Sequence, residues 1–452
     1  MRMSRTMRNT LIGIAVAAVI GVIAWFGFVA EPGPMAFAGG KRVPLADYHG
    51  VNPTGVPASL AGASLVARGE YLARAADCMA CHTAPGGKPF AGGLAIRTPF
   101  GTLYSPNITP DRKTGIGAFT DTDFLEVLHK GVMPDGTRLY PAMPYAAYTY
   151  MTDADALAIK AYLFSLAPVQ SVTPRDTLAF PYNQRWLMVF WQGLYDPDTR
   201  FEPRSDRSAQ WNRGAYLAEA LAHCGDCHTP RNRLQALDNS HKFAGASAAG
   251  WRAYNITADN RSGMGAWSDA ALAQYLATGH AADHGTAAGT MGEAVDRSFS
   301  YLAPSDIQAI VAYLRTVPAV SSSGEPAVRV SLAPASYRAG VTPQFDPLGR
   351  QVFEEACVSC HSWSGRSMLT SYATLTGARA VNDPSAANVA QIVICGMRRK
   401  SADGTVAMPA FGGAYSDVEI AAVANYVTQR FGGVTSRIQP GEIRLLRSQT
   451  AE

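Results

Sequence analysis

Three copies of the pentapeptide Cys-x-x-Cys-His constrain this 452-residue chain more than any other feature of its sequence. The pattern is typical of c-type haem attachment: two thiols bond to one edge of the porphyrin, and the adjacent histidine is placed under the iron. A zinc site or a redox dithiol uses the same residue types, but three motifs that each precede a candidate axial ligand favour haem. The predicted thioether residues are Cys78, Cys81, Cys224, Cys227, Cys357 and Cys360, and the predicted proximal ligands are His82, His228 and His361.

The chain repeats itself around the first two motifs. The sequence Arg-Gly-x-Tyr-Leu occurs at Arg68–Leu72 and again at Arg213–Leu217. Asn107–Thr109 returns as Asn255–Thr257, with an offset of 148 residues. We therefore expect two tandem domains of one fold, followed by a more diverged third domain that keeps the haem motif and a C-terminal helix.

The expected fold is mainly α, with three tandem cytochrome c domains after one N-terminal transmembrane helix. Apolar residues recur at helical spacing, strand patterns are scarce, and loops rich in glycine and proline separate the helices. Thr122 and Ser268 are predicted as N-caps of equivalent helices. The predicted domain ranges are 63–170, 209–320 and 344–434.

A methionine is the predicted distal ligand of each iron, because a thioether raises the haem potential and suits electron transfer. Met143 and Met291 are related by the offset of 148, whereas Met264 aligns with Ile116, which cannot bind iron. Met408 precedes a proline, as Met143 does. The other candidates, which could equally be core residues, are Met133, Met151, Met264, Met368 and Met397.

An uncharged run, 10–30, is long enough to span about 31 Å as a helix, close to a bilayer core. Arg2, Arg5 and Arg8 precede it and predict a cytoplasmic N-terminus. We favour an uncleaved anchor in the inner membrane with the haem domains in the periplasm. The alternative is a signal peptide cleaved at Ala36–Ala38. The net charge of +4 is too small to indicate nucleic-acid binding.

Two segments outside the domains carry weaker indications. The linker 172–207 contains an apolar, aromatic segment from Pro181 to Tyr195. This segment favours packing between the first two domains and leaves contact with a partner subunit or a membrane as the alternative. The tail from Thr435 is polar and basic. We expect it to be a solvated or interaction segment.

Several single residues have two possible roles. Cys395 lies in an apolar helix end, which favours a buried inert thiol. His280 and His284 are four residues apart and could bind a metal, but an ordinary loop pair is favoured. Asn107 and Asn255 could hydrogen-bond a haem propionate or shape the loop around them.

The motifs together resemble a known family. They are the Arg-Gly-x-Tyr-Leu sequence before Cys-x-x-Cys-His, the segment Asn107–Asp111, and the Tyr-Pro-Ala-Met-Pro-Tyr sequence at Tyr140–Tyr145. The chain resembles the tri-haem cytochrome c subunits of membrane-bound periplasmic dehydrogenases. The resemblance implies that it takes electrons from a catalytic subunit and reduces ubiquinone in the respiratory chain.

The resemblance also bears on the partner. Ser208–Tyr216 and Gly285–Met291 are similar to the aldehyde dehydrogenase branch, which implies a molybdopterin subunit and a small iron–sulfur subunit. A quinoprotein alcohol dehydrogenase or a flavin-dependent sugar or gluconate dehydrogenase is the alternative partner. A haem peroxidase-like enzyme and a terminal-oxidase subunit are less favoured alternative functions.

Overall fold

The structure is a computed structural model that describes residues 32–321, 346–401 and 404–450, together with residues 5, 9, 12–16 and 21. None of the helices within these ranges has both the length and the apolar character to cross a bilayer. The predicted anchor, 10–30, lies outside the described residues apart from 12–16 and 21. Most of the linker before the third predicted domain, 322–345, lies outside them as well.

The first helical unit follows short 3₁₀ turns at Ala36–Ala38, Leu45–Asp47 and Ala58–Leu60. Its helices are α1 (Leu65–Ala75), α2 (Cys78–Cys81), α3 (Asp121–Lys130), α4 (Tyr145–Tyr148) and α5 (Asp153–Ser165). An antiparallel hairpin pairs β1 (Ala95–Thr98) with β2 (Gly101–Tyr104). Helices α1 and α5 pack against each other and carry much of the buried apolar surface.

A linker joins this unit to the second one through the turn Arg185–Leu187 and helix α6 (Met188–Tyr195). The helices of the second unit are α7 (Ala209–Tyr216), continued by a π-helical turn at Leu217–Leu221, α8 (Gly225–His228), α9 (Asp269–Thr278), α10 (Gly289–Arg297) and α11 (Pro304–Leu314). Its 3₁₀ turns are Asn239–His241 and Phe299–Tyr301. Its antiparallel hairpins pair β3 (Ala246–Ala248) with β4 (Trp251–Ala253), and β5 (His280–Ala281) with β6 (Gly285–Thr286).

The third unit begins after the second linker. Its helices are α12 (Pro347–Ala356), α13 (Val358–His361), α14 (Ala387–Cys395), α15 (Asp417–Val427), continued by a π-helical turn at Thr428–Gly432, and α16 (Pro440–Gln449). A 3₁₀ turn lies at Ser371–Ala373, and β7 (Met397–Ser401) pairs with β8 (Gly404–Met408). The prediction of a mainly helical chain is confirmed.

In each unit, a glycine of the first helix lies against the backbone of the last long helix that crosses it. A Cβ atom on Gly69, Gly214 or Gly349 would lie 1.8, 1.9 or 2.2 Å from the carbonyl oxygen of Ala158, Ala309 or Ala422, respectively. Only glycine permits so close an approach. The third unit, which the sequence repeat reaches only weakly, therefore has the same helix crossing as the first two.

Replacing Gly69 with alanine is expected to destabilise the protein by about 1–3 kcal/mol, because overpacking forces α1 and α5 apart. The measurement is the urea midpoint followed by far-UV circular dichroism. Gly62→Ala is the matched control, since a Cβ there meets nothing within 4 Å. Equal midpoints for the two variants would contradict this helix crossing.

The first two units share one hydrophobic core, whereas the third has its own. Buried polar groups also join the first two units in a reciprocal pattern. Tyr71 of the first donates to Asp306 of the second (2.7 Å), and Tyr216 of the second donates to Asp155 of the first (2.5 Å). Within the second unit, Arg213 of α7 makes a buried ion pair with the same Asp306 of α11 at 2.6 Å. The tandem units are therefore one packed body, which the repeat alone did not predict.

The N-cap prediction is right for one helix and wrong for the other. Ser268 caps α9 by accepting from the amide of Ala271. Helix α3, however, is capped by Thr120 and not by Thr122. Thr120 forms a capping box with Asp123, in which two otherwise unpaired backbone amides are satisfied, so the helix begins two residues earlier.

The expectation of a solvated or interaction tail is wrong for residues 440–449. Helix α16 buries Ile443 and Leu446 in the core of the third unit. Arg447 donates to Asp417 at 2.7 Å, so one of the basic residues is engaged within the fold. Two apolar side chains at helical spacing were enough to dock this segment, despite its polar composition.

Candidate functional site

Each Cys-x-x-Cys-His motif lies on a short helix of its own, α2, α8 or α13. In the first motif Cys78 begins α2 and Cys81 ends it, so the two thiols are one helical turn apart and His82 follows at once. Asp77 and His223, which directly precede the first two motifs, have φ values of 50° and 37°. This left-handed conformation turns the chain sharply from the preceding helix into the motif.

The histidine of each motif is held by a backbone carbonyl group. The Nδ1 atoms of His82, His228 and His361 lie 2.8, 2.7 and 2.6 Å from the carbonyl oxygens of Pro106, Tyr254 and Ala373. Because a carbonyl oxygen only accepts, each Nδ1 carries the proton and each Nε2 keeps its lone pair. Burial lowers the pKa of all three imidazoles, which favours the neutral form. A neutral ring with a fixed orientation and a free Nε2 is suited to binding iron.

The thiols of the motifs do not have the low pKa of a redox dithiol. Burial raises the pKa of Cys78 and Cys224 to about 12 and that of Cys357 to about 11. Thiols that stay protonated at neutral pH are poor nucleophiles, which argues against a redox dithiol. In the described part of the chain, no three side chains of His, Cys, Asp or Glu are grouped to hold a metal ion.

The three predicted distal methionines are half-buried and accompany the motifs. Met143 lies in the turn before α4, Met291 in the first turn of α10, and Met408 at the end of β8. Each packs on the same core as the first cysteine of its motif, namely Cys78, Cys224 and Cys357. The assignment of these sulfur atoms as sixth ligands stays a prediction.

Most of the other methionines are less suitably placed to bind iron. Met151 and Met264 are enclosed in the shared core, where Met264 takes the place that Ile116 has in the first unit. Met368 is 90% exposed. Met397 lies directly opposite Met408 in the β7–β8 hairpin, so it shares a face with the predicted ligand and is the remaining alternative there.

The amide side chains of Asn107 and Asn255 shape the loop. The Nδ2 of Asn107 donates to the carbonyl of Val169 and to the hydroxyl of Thr114, and its Oδ1 accepts from the amide of Thr109. Asn255 repeats this pattern. Both amide hydrogens are thus engaged with protein oxygens, which leaves none for a propionate.

Sequence reasoning missed the carbonyl groups that hold the histidines. Those of Pro106 and Tyr254 immediately precede the repeated Asn-Ile-Thr segments. The repeated segment could therefore have indicated these two carbonyl groups. In both units the asparagine shapes the loop in the same way, so the carbonyl group directly before it takes the same position. Ala373 has no such indication, since the third unit lacks this segment.

A tyrosine connects the first two motifs. The hydroxyl of Tyr148 donates to the carbonyl of Ala76, two residues before Cys78, at 2.7 Å. Its ring packs edge-on against His223, directly before Cys224, with 5.6 Å between the ring centroids. The two motifs therefore meet at the junction of the first and second units.

The second and third units meet beside their histidines as well. Tyr254, whose carbonyl holds His228, donates from its hydroxyl to Asp383 of the third unit at 3.2 Å. His280 of the second unit stacks on Tyr372, with ring centroids 4.3 Å apart. Tyr372 directly precedes the residue whose carbonyl holds His361.

The remaining candidate residues are His280, His284 and Cys395. His280 and His284 stack on separate aromatic rings, those of Tyr372 and Trp267, which agrees with the favoured loop pair. The expectation that Cys395 is buried is wrong, because its side chain is exposed. The two preceding residues of α14, both apolar, face the core, and Cys395 falls on the outer side of the helix end.

Comparisons with known proteins agree with this description. The family model for cytochrome c matches residues 66–167, and the model for the cbb3-type cytochrome c oxidase subunit III matches residues 347–427. The fructose dehydrogenase cytochrome subunit of Gluconobacter japonicus is 39% identical over 406 residues, which are 85% of this chain and 82% of that protein.

Two further relatives extend the comparison. The gluconate 2-dehydrogenase cytochrome c subunit of Pantoea cypripedii is 37% identical over 85% of this chain and 90% of its own length. The cytochrome c subunit of the quinone-dependent alcohol dehydrogenase of Gluconobacter oxydans is 32% identical over 86% of this chain and 83% of its own length. With these identities over most of its length, the chain belongs to the family of dehydrogenase cytochrome c subunits.

Proposed function

We propose that this protein is the tri-haem electron-transfer subunit of a membrane-bound dehydrogenase complex, and that it passes electrons from a catalytic subunit to ubiquinone. The observation that carries the proposal is the threefold occurrence of Cys-x-x-Cys-His with a carbonyl-held histidine. Covalently bound haem c supplies reversible one-electron chemistry. The proposed ligand pairs are His82 with Met143, His228 with Met291, and His361 with Met408.

The role of the protein in this function is to fix the spacing of the three sites and to tune each potential. The histidine carbonyl bonds orient the proximal ligands, and such hydrogen bonds tune the metal they serve. The contacts of Tyr148 between the first two motifs, and of Tyr254 and Tyr372 between the second and third units, support electron exchange along the order of the units. Electron transfer of this kind requires no substrate-binding or acid–base residue.

We infer that residues 10–30 anchor the protein in the inner membrane, with the haem domains in the periplasm. Support comes from residues around the alternative cleavage site. The carbonyl of Met35 accepts from Arg204 and that of Ala38 from Arg207, each at 2.7 Å. The ring of Phe37 packs on that of Tyr313 in the second unit. The segment is thus part of the fold, whereas cleavage there would remove its contacts.

For the catalytic partner we propose a molybdopterin aldehyde dehydrogenase with a small iron–sulfur subunit, supported by the similarity of Ser208–Tyr216 and Gly285–Met291 to that branch. A flavin-dependent sugar or gluconate dehydrogenase is the second candidate. It is favoured by the relatives that serve fructose and gluconate dehydrogenases and match over most of both chains.

The test is to purify the protein from membranes together with its partner. We expect about three haems per chain in the pyridine haemochrome assay, reduction of the haems by the substrate of the partner, and reoxidation by a short-chain ubiquinone. Molybdenum or flavin in the same sample decides between the two partners. Stoichiometric carbon monoxide binding by the wild type, or copurification with a copper–haem oxidase, would overturn the proposal.

A further inference from the structure

The linker segment 177–195 presents almost no charge. Arg185 is its only charged residue. The guanidinium of Arg185 is turned towards the protein: it pairs with Asp176, donates to the carbonyl of Arg138 at 3.0 Å, and lies 4.9 Å from the centroid of the Tyr140 ring. The segment therefore presents effectively no free charge over 19 residues.

Helix α6 and the turn before it nevertheless face solvent on one side. On the inner side Met188 and Gln192 are buried, and Gln192 donates to the carbonyl of Lys130 at 3.0 Å. On the outer side Trp186 is 63% and Phe190 65% exposed, with their rings in edge-to-face contact. The apolar residues that share this exposure, here called the outer aromatic face, are Phe180, Tyr182, Trp186, Leu187, Val189 and Phe190.

A group of six large exposed apolar side chains marks a contact with a membrane or with another protein. Aromatic side chains alone do not distinguish the two, because both interfaces are enriched in them. The position of the face within the fold does distinguish them.

Helix α6 and the segment that begins at Pro32 dock on one loop of the second unit, 230–241. Trp191 donates from its indole to the carbonyl of Leu234 at 2.8 Å, and Asn239 donates to the carbonyl of Pro32 at 2.9 Å. Leu234 and Asn239 are five residues apart and so within about 18 Å even if fully extended. Pro32 stands two residues after the apolar run 10–30. The run therefore joins the fold next to α6.

We propose that the outer aromatic face of α6 lies in the phospholipid interface, beside the N-terminal anchor. This inference rests on the proposed anchoring role of residues 10–30. The anchor holds lipid on this side of the molecule, and an uncharged face rich in Trp, Tyr and Phe is suited to the headgroup region, where aromatic rings partition. The two contacts together hold the first two units in a defined orientation on the membrane.

The experiment measures the immersion of a nitroxide label by power-saturation electron paramagnetic resonance. The full-length holoprotein carries Cys395→Ser, which removes the exposed free thiol, and Val189→Cys, which places the label on the outer aromatic face. The matched control has Leu369→Cys instead, at an apolar residue of the third unit that is 71% exposed. Both are reconstituted into vesicles of phosphatidylethanolamine and phosphatidylglycerol.

We expect the ratio of oxygen to nickel-complex accessibility to be severalfold higher at position 189 than at position 369. A label at 189 that stays accessible to the nickel complex would overturn the proposal. So would a label that loses access to both reagents only when the catalytic subunit is added, since that identifies a protein interface. Failure of the protein to float with the vesicles would refute the anchor, and loss of the haemochrome signal would refute the haem function.

Discussion

Replacing Met143 with leucine is expected to let carbon monoxide bind one of the three proposed haem irons in the reduced protein. Leucine has nearly the shape of methionine but no sulfur, so the sixth position of that iron opens while the packing is kept. The potential of the same haem is expected to fall, because a thioether ligand raises it. The measurements are the carbon monoxide difference spectrum and a redox titration.

Met151→Leu is the matched control, because Met151 is fully buried in the core shared by the first two units. It should leave both measurements unchanged. A variant Met143→Leu that binds no carbon monoxide would count against the ligand assignment. The corresponding leucine variants test whether Met291 or Met264 binds the second iron, and whether Met408 or Met397 binds the third.

Replacing Asp306 with alanine is expected to cost about 3–5 kcal/mol of stability, because it leaves the buried guanidinium of Arg213 without its counter-charge. Arg213 donates to both oxygens of Asp306, at 2.9 and 2.6 Å. The hydroxyl of Tyr71 loses its acceptor at the same time. Urea denaturation followed by far-UV circular dichroism measures the loss.

Asp269→Ala provides the surface comparison. Asp269 pairs with Arg315, but it is 76% exposed, and Arg315 keeps other backbone partners. Its loss is expected to cost about 0–1 kcal/mol, as for other solvated ion pairs. If Asp306→Ala were no more destabilising than Asp269→Ala, the buried carboxylate that pairs with Arg213 and accepts from Tyr71 would not stabilise the fold as expected.

Much of the site could be predicted because its chemistry is local in the chain. Cys78, Cys81 and His82 lie within about one helical turn, so the prediction of their role follows from spacing alone. Offsets between repeats also selected Met143 and Met291 from five methionines, since equivalent residues of equal folds occupy equal places. The capping of α3 was misplaced by two residues, because Thr120 competes with Thr122 through a reciprocal bond to Asp123.

Other features depended on contacts that composition does not reveal. The tail was expected to be solvated, yet Ile443 and Leu446 dock it on the third core. Cys395 was expected to be buried, yet it falls on the outer side of its helix. In both cases a segment was judged by its average polarity, whereas burial depends on which side of a helix meets a neighbour.

The number of Cys-x-x-Cys-His motifs, the histidine in each of them and the tandem repeat can be read directly from the sequence. Each of these features consists of residues that are close together in the chain or separated by a constant offset. The shared core of the first two units, and the contacts by which Tyr148 joins their motifs, became visible only in the folded chain. The same holds for the exposed aromatic face of α6, which lies near Pro32, two residues after the N-terminal apolar run. These features join residues far apart in the chain, and packing geometry alone brings such residues together.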